Sequence, residues 1–282
     1  MGRRPLRLVL VSALGVAALA IAGTARAQDP LAPIRPSGQS VTPAFEGWYR
    51  NPDGTFSISF GYLNRNGKET LDIPIGQDNN ISPGNPNQGQ PTHFEVRRHW
   101  GVFAVVVPAD FGKKKVTWTL NDRGERYTIA GSLDPLWEID AIQGEAGSDN
   151  TPPALKLAEN GPEGRGPGGI TGGPLKAKVG APIPLQVWSR DDGHMAAAAT
   201  NTTRDVPVTL TWFKHQGPGD VTFTPATARV PNAGGSATSS AVFSSPGDYI
   251  VRIRANDASG IVGAGHAQCC WTNAFIKVTV TP

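Results

Sequence analysis

Across 282 residues the formal charge is +3, but four arginines (Arg3, Arg4, Arg7 and Arg26) stand within the first 27 residues, and without them 22 basic residues face 23 acidic ones. That balance gives no electrostatic ground for binding nucleic acid or an anionic membrane surface. Glycine (34) and proline (25) make up about a fifth of the chain, against about one eighth in ordinary proteins, which argues against a helical protein and for short strands joined by turns.

Residues 1–27 have a basic start, an apolar run over 8–22 and the small-residue exit Ala25-Arg26-Ala27. This is the layout of a secretory signal peptide cut after Ala27. The Arg3-Arg4 pair keeps a twin-arginine route open beside general secretion. The expected product is periplasmic or secreted. No later apolar stretch reaches the roughly 20 residues of a spanning helix, so no membrane span is expected. Residues 28–41, polar and proline-rich, read as a flexible leader.

Residues 42–142 read as a first β-sandwich domain of unassigned family. Phe56, Ile58, Phe60 and Tyr62 alternate with Thr55, Ser57, Ser59 and Gly61, which puts the rings on a core and the small residues on the opposite face. The turn sequences Asn51-Pro-Asp-Gly54 and Asn64-Arg-Asn-Gly67 bound that strand. Further strands are expected at 70–75, 93–97, 101–107, 115–120 and 126–130. The run 101–107 is apolar on both faces, as a central strand would be. Residues 77–90 read as a long loop, and residues 143–174, with the run Gly161-Pro-Glu-Gly-Arg-Gly-Pro-Gly-Gly169, as a linker unable to hold a helix or a central strand.

From 175 to 282 strand signals resume at Ile183/Leu185/Val187, Val208/Leu210/Trp212, Val221/Phe223, Tyr249/Val251/Ile253 and Ile276/Val278/Val280. The segments Leu210-Thr-Trp-Phe-Lys-His-Gln-Gly-Pro-Gly-Asp-Val-Thr-Phe223, Ser245-Pro-Gly-Asp-Tyr-Ile-Val-Arg-Ile-Arg-Ala-Asn-Asp257 and Ile276-Lys-Val-Thr-Val280 resemble the polycystic-kidney-disease-repeat (PKD-like) branch of immunoglobulin-like domains. The resemblance covers roughly the last 100 residues. It implies a sandwich of about seven strands, used in exported proteins for spacing, adhesion or sugar contact. It further implies Tyr249 at a strand corner and Trp212 at the centre. The fold class expected is therefore all-β: two β-sandwich domains, the second immunoglobulin-like.

Cys269 and Cys270 are the only cysteines. After export they can close on each other as a vicinal disulfide, stay as buried or free thiols, pair with another chain or bind metal. His266 beside them is a soft-metal candidate. Asp191, Asp192 and Asp257, at strand ends, are calcium candidates, as is the weaker set Asp78-Asn79-Asn80. Both sets are equally ordinary turn residues. His93, Glu95, Arg97, Arg98 and His99 form the densest titratable cluster, but no nucleophile motif accompanies them. Trp48, Tyr49, Trp100, Trp137 and Trp271 are the rings that could stack on sugars. The reading is a non-catalytic binding or adhesion protein for polysaccharide or another envelope protein, with calcium as the one cofactor entertained. An exported metal- or redox-dependent enzyme or carrier, and a structural surface component, are its competitors. Oligomeric state is left open.

Overall fold

Turn chemistry closes the first hairpin. Asn51 and Gly54 tie off the turn (Asn51 N–H to Thr55 O, 2.9 Å; Gly54 N–H to Asn51 O, 3.0 Å), with Gly54 at φ +86°, a conformation glycine takes without strain. The turn joins β1 (Val41–Arg50) to β2 (Phe56–Asn64), and β2 pairs in turn with β6 (Arg97–Val107). The computed structural model describes residues 33–139, 150–194, 206–257 and 270–282. No helix among them is long and apolar enough to cross a membrane.

A second layer, β4 (Asn79–Ser82), β7 (Val116–Asp122) and β8 (Glu125–Gly131), faces the first across a core of Ile58, Phe60, Phe103, Trp118 and Leu120. Phe60 stacks on Phe103 at 5.5 Å, and Trp118 meets Phe103 edge-on at 5.1 Å. The short pair β3 (Leu71–Asp72) and β5 (His93–Phe94) closes one end.

β4 lies inside the stretch expected to be a loop. Its signal was hidden because Asn79 is buried for a reason that composition does not carry. Its amide donates to Ile73 O (2.9 Å) and Pro91 O (2.8 Å) and accepts from the Trp118 indole (3.0 Å). A buried amide with every partner in place serves as core.

The second body is a two-sheet sandwich with the expected immunoglobulin-like layering. One sheet runs β10 (Ile170–Lys178), β17 (Trp271–Thr281), β16 (Gly247–Asn256), β12 (Val208–Gln216), β14 (Thr227–Val230). The other runs β13 (Val221–Thr224), β15 (Gly235–Phe243), β11 (Ile183–Arg190), β9 (Ala154–Lys156). Trp212 and Tyr249 are both buried in its core. The Tyr249 hydroxyl donates to Ser245 O (2.8 Å) and accepts from Gly219 N–H (3.0 Å), pinning the corner.

Three expectations are corrected by the way these bodies meet. β9 lies inside residues 143–174 and β10 begins there, so part of that stretch pairs into the sheets of the second sandwich. Ser57 and Ser59, expected on the outer face of β2, are buried. The glycine-rich run covers that outer face: a side chain at Gly168 would come within 2.7 Å of the Tyr49 hydroxyl and 3.5 Å of Ala104. Small residues on both sides let two backbones approach closely. Finally, β6, expected to be central, is an edge strand of its sheet, with Gly101, Val102, Phe103, Val105 and Val107 buried, Ala104 partly buried and Val106 exposed. One face meets the first core, and the second body packs on the other.

Gly169 shows how tight this is. It sits at φ +48°, and a Cβ there would lie 1.6 Å from Asn273 O. Gly169→Ala is expected to cost several kcal/mol (about 3 or more), measured by urea unfolding. A loss below about 1 kcal/mol would show that the run does not pack as described.

Candidate functional site

The outward face of the β16–β17 sheet is where the bodies meet. Along β16 the residues Tyr249, Val251 and Ile253 point into the second core, which leaves Ile250, Arg252 and Arg254 on the opposite face. Phe275 of β17 belongs to the first body's core cluster, and Ile250 packs against it. The sandwiches therefore share apolar contacts, and residues 35–282 form one compact unit.

Polar contacts hold the same seam. Thr92 N–H donates to His215 O (2.9 Å), the His215 ring is 2.7 Å from Gly89 O, and Gln216 donates to Gln90 O (2.6 Å). Asp72 receives Lys214 Nζ at 2.9 Å and His93 Nδ1 at 3.0 Å, and His93 Nε2 stands 3.6 Å from Glu95. Burial works against the charge on His93, but its hydrogen bonds to Asp72 and Glu95 outweigh that and raise it to about 9. Burial likewise opposes ionisation of Asp72, and the bonds from His93 and Lys214 still hold it down at about 2. The strand expected over 93–97 is not continuous: β5 ends at Phe94, and Arg97 turns at φ +73°. The cluster is a junction lock.

Arg252 and Arg254 lie beside this lock, 2% and 8% exposed, both over the Phe213 ring (4.5 and 5.2 Å). Arg252 donates to Asn273 Oδ1 (3.3 Å) and Arg254 to Asn256 Oδ1 (2.8 Å). Neither has a carboxylate within 4.0 Å among the described residues. Burial brings Arg252 down to about 10, and burial with the neighbouring Arg252 charge brings Arg254 to about 9. Both stay cationic at neutral pH. Burial and these cations press His99 and His215 down to about 3, so both rings are neutral.

A groove of about 1000 Å³ opens along the seam. Tyr49, Phe103, Phe275 and His215 form its buried floor, and Val106, 62% exposed, adds an apolar wall. The 51–55 turn, Gln88 and the 163–171 stretch with Lys277 supply the polar rim. Tyr49 is fixed by Gly168 N–H donating to its hydroxyl at 2.8 Å, and its phenol is raised by burial. Rigid rings beside amides, hydroxyls and charges make a preformed recognition surface.

Of the five rings singled out from sequence, only Tyr49 lines this groove. Trp48 is buried and donates to Asp134 O (2.7 Å), while Trp271 is buried with its indole 3.4 Å from Gly101 O. Trp100 lies under the Arg98 guanidinium (5.0 Å), and Trp137, 47% exposed, sits on Phe45 (5.2 Å). The five do not form one stacking face, because most are spent on packing. His215, Phe275, Arg165 and Lys277 were not anticipated. The one sequence signal was Phe275, an aromatic that shares with Trp271 the side of β17 that also carries Asn273, Lys277 and Thr279.

The calcium candidates of the second sandwich each accept at least one hydrogen bond from the protein, and Asp191 Oδ1 is buried with no hydrogen-bond partner among the described residues. Asp192 accepts Thr151 N–H and Oγ1 (2.9 and 2.6 Å), Asp191 accepts Gly193 N–H (3.0 Å), and Asp257 accepts the amide of Asn150 (3.0 Å). Burial, then the Asp192 charge, raises Asp191 to about 6. No group of three His, Cys, Asp or Glu residues is placed to share a metal ion among the described residues. Cys270 is buried, with the Asn150 amide 3.7 Å from its Sγ, while Cys269 and His266 lie outside the described residues.

No family model and no curated protein matches this chain. Among solved structures it is similar to the D00-D0 domain of intimin (13% identity, 86% of this chain and 100% of that one, TM-score 0.27). It is similar also to domains 4 and 5 of the S-layer protein SbsC (10%, 86% and 98%, 0.22). A third is a protein of unknown function from Porphyromonas gingivalis W83 (9%, 85% and 99%, 0.25). No function is taken from superpositions this weak.

Proposed function

We propose that this chain is an exported, non-catalytic binding protein that seats a polysaccharide segment in the seam groove, with the PKD-like C-terminal sandwich as one wall. The observation that carries this reading is the groove itself. It has Phe275 on its floor and Val106 as an apolar wall, a rim of Asn51, Gln88 and Thr171, and a volume of about 1000 Å³. A pyranose ring has an apolar face and a fringe of hydroxyls, which matches such a lining. Hydrogen bonds across the seam and shared core contacts hold the walls in place before a ligand arrives, and this lowers the ordering cost of binding. Calorimetric titration with soluble polysaccharides is expected to show saturable binding. Val106→Asp should weaken it at least tenfold while leaving the melting temperature nearly unchanged. Absence of binding to every polymer, or indifference to Val106→Asp, would overturn the assignment.

A further inference from the structure

We infer that the groove selects acidic polysaccharide, with the carboxylates of uronic-acid residues meeting its positive rim. The inference rests on the groove being a glycan seat and adds the charge of the ligand. Two acids line it, Asp53 and Glu163, against three cations, Arg50, Arg165 and Lys277, and one of those acids is paired with a cation from outside the lining. Glu163 is held bidentately by Arg190 (2.8 and 2.7 Å), and Asp53 accepts the N–H and hydroxyl of Thr55 (3.0 and 2.6 Å). The cations are not neutralised to the same degree. Among the described residues Arg165 bonds uncharged groups, Thr151 Oγ1 (3.1 Å) and Pro152 O (2.5 Å), and has no carboxylate within 4.0 Å. Lys277 has no carboxylate within 4.0 Å among the described residues. Arg50 meets Glu138 only at 3.5 Å, and both side chains are open to solvent.

A second observation points the same way. Arg252 lies directly across the strand pair from Phe275 of the groove floor, and Lys277 lies across from Ile250. Arg252 is fully buried and Arg254 nearly so, neither with a carboxylate within 4.0 Å among the described residues, on the sheet face from which the floor is built. Charges in a poorly polarisable interior are screened less than surface charges, so their field adds to that of the rim. A carboxylated sugar chain combines a ring that packs on Val106 and Phe275 with an anion that the rim attracts.

The test uses the full chain with matched polymers: polygalacturonate, its methyl ester, alginate and neutral dextran. At least one acidic polymer should bind ten or more times tighter than the ester and dextran. Binding should weaken several-fold between 50 and 300 mM salt, on the order expected for Debye screening. Lys277→Glu should lose at least tenfold, and Leu136→Ser, on the exposed 135–137 turn, should match wild type. Equal binding of the acid and its ester, or a Lys277→Glu variant that binds like wild type, would overturn the charge inference and leave the glycan seat standing. Failure of all four polymers would overturn both.

Discussion

Asn273→Leu is expected to destabilise the protein by about 3–5 kcal/mol, because it leaves several buried groups without partners at once. Asn273 is fully buried, and its amide donates to Gly101 O (2.7 Å) and Pro167 O (2.8 Å) while its carbonyl accepts from Arg252 Nη1 (3.3 Å). Its backbone N–H also donates to Gly166 O (3.1 Å). One side chain thus joins β6, the glycine-rich run and β17. Leucine is the larger side chain, so a cavity would not explain the loss, and some crowding of the seam would add to it. What remains is the cost of two buried carbonyls and a guanidinium short of a partner. Urea unfolding measures it. A midpoint shift equivalent to less than about 1 kcal/mol would show that the seam does not depend on this amide.

Acid should loosen the fold before most carboxylates titrate. His99 and His215 are neutral in the native state, at about 3, and the ordinary value is 6.5. For each ring the unfolded chain binds more protons between those values, so stability is fully present above pH 6.5 and falls as pH drops toward 3. By pH 4.5 each contributes a loss of about 3 kcal/mol, using 1.36 kcal/mol per unit of displacement. Protonation would also place a charge beside Arg252, Arg254 and His93, with only Glu95 and Asp72 nearby to offset it. Urea midpoints from pH 7.5 to 4.5 should trace that slope, and His215→Gln should flatten it by about half. A flat profile down to pH 5 would contradict the burial of these rings.

The local grammar was readable without a structure. Period-two alternation located the main strands, since an apolar residue every second position leaves a strand one core face. Asn51 to Gly54 announced their turn, because glycine at positive φ is a local requirement. Trp212 and Tyr249 were legible as core for the same reason. Residues whose role depends on a partner distant in sequence were not. Ser57 and Ser59 look like a solvent face until the glycine-rich run is laid over them. Asn79 looks like a loop residue until the Trp118 indole and two carbonyls surround it.

The candidate site shows the division most clearly. Alternation along β16 and β17 already separates Ile253 and Ile276 from Arg252 and Phe275. It assigns two faces but cannot say what covers the second one. The seam groove is created by two sandwiches sharing that face, and it unites Tyr49, Val106, Arg165, His215 and Lys277 from five separate segments. Aromatic residues chosen by type alone therefore went mostly to packing. Local periodicity and turn chemistry are encoded within a few residues, whereas a groove between two sheets depends on how those sheets dock.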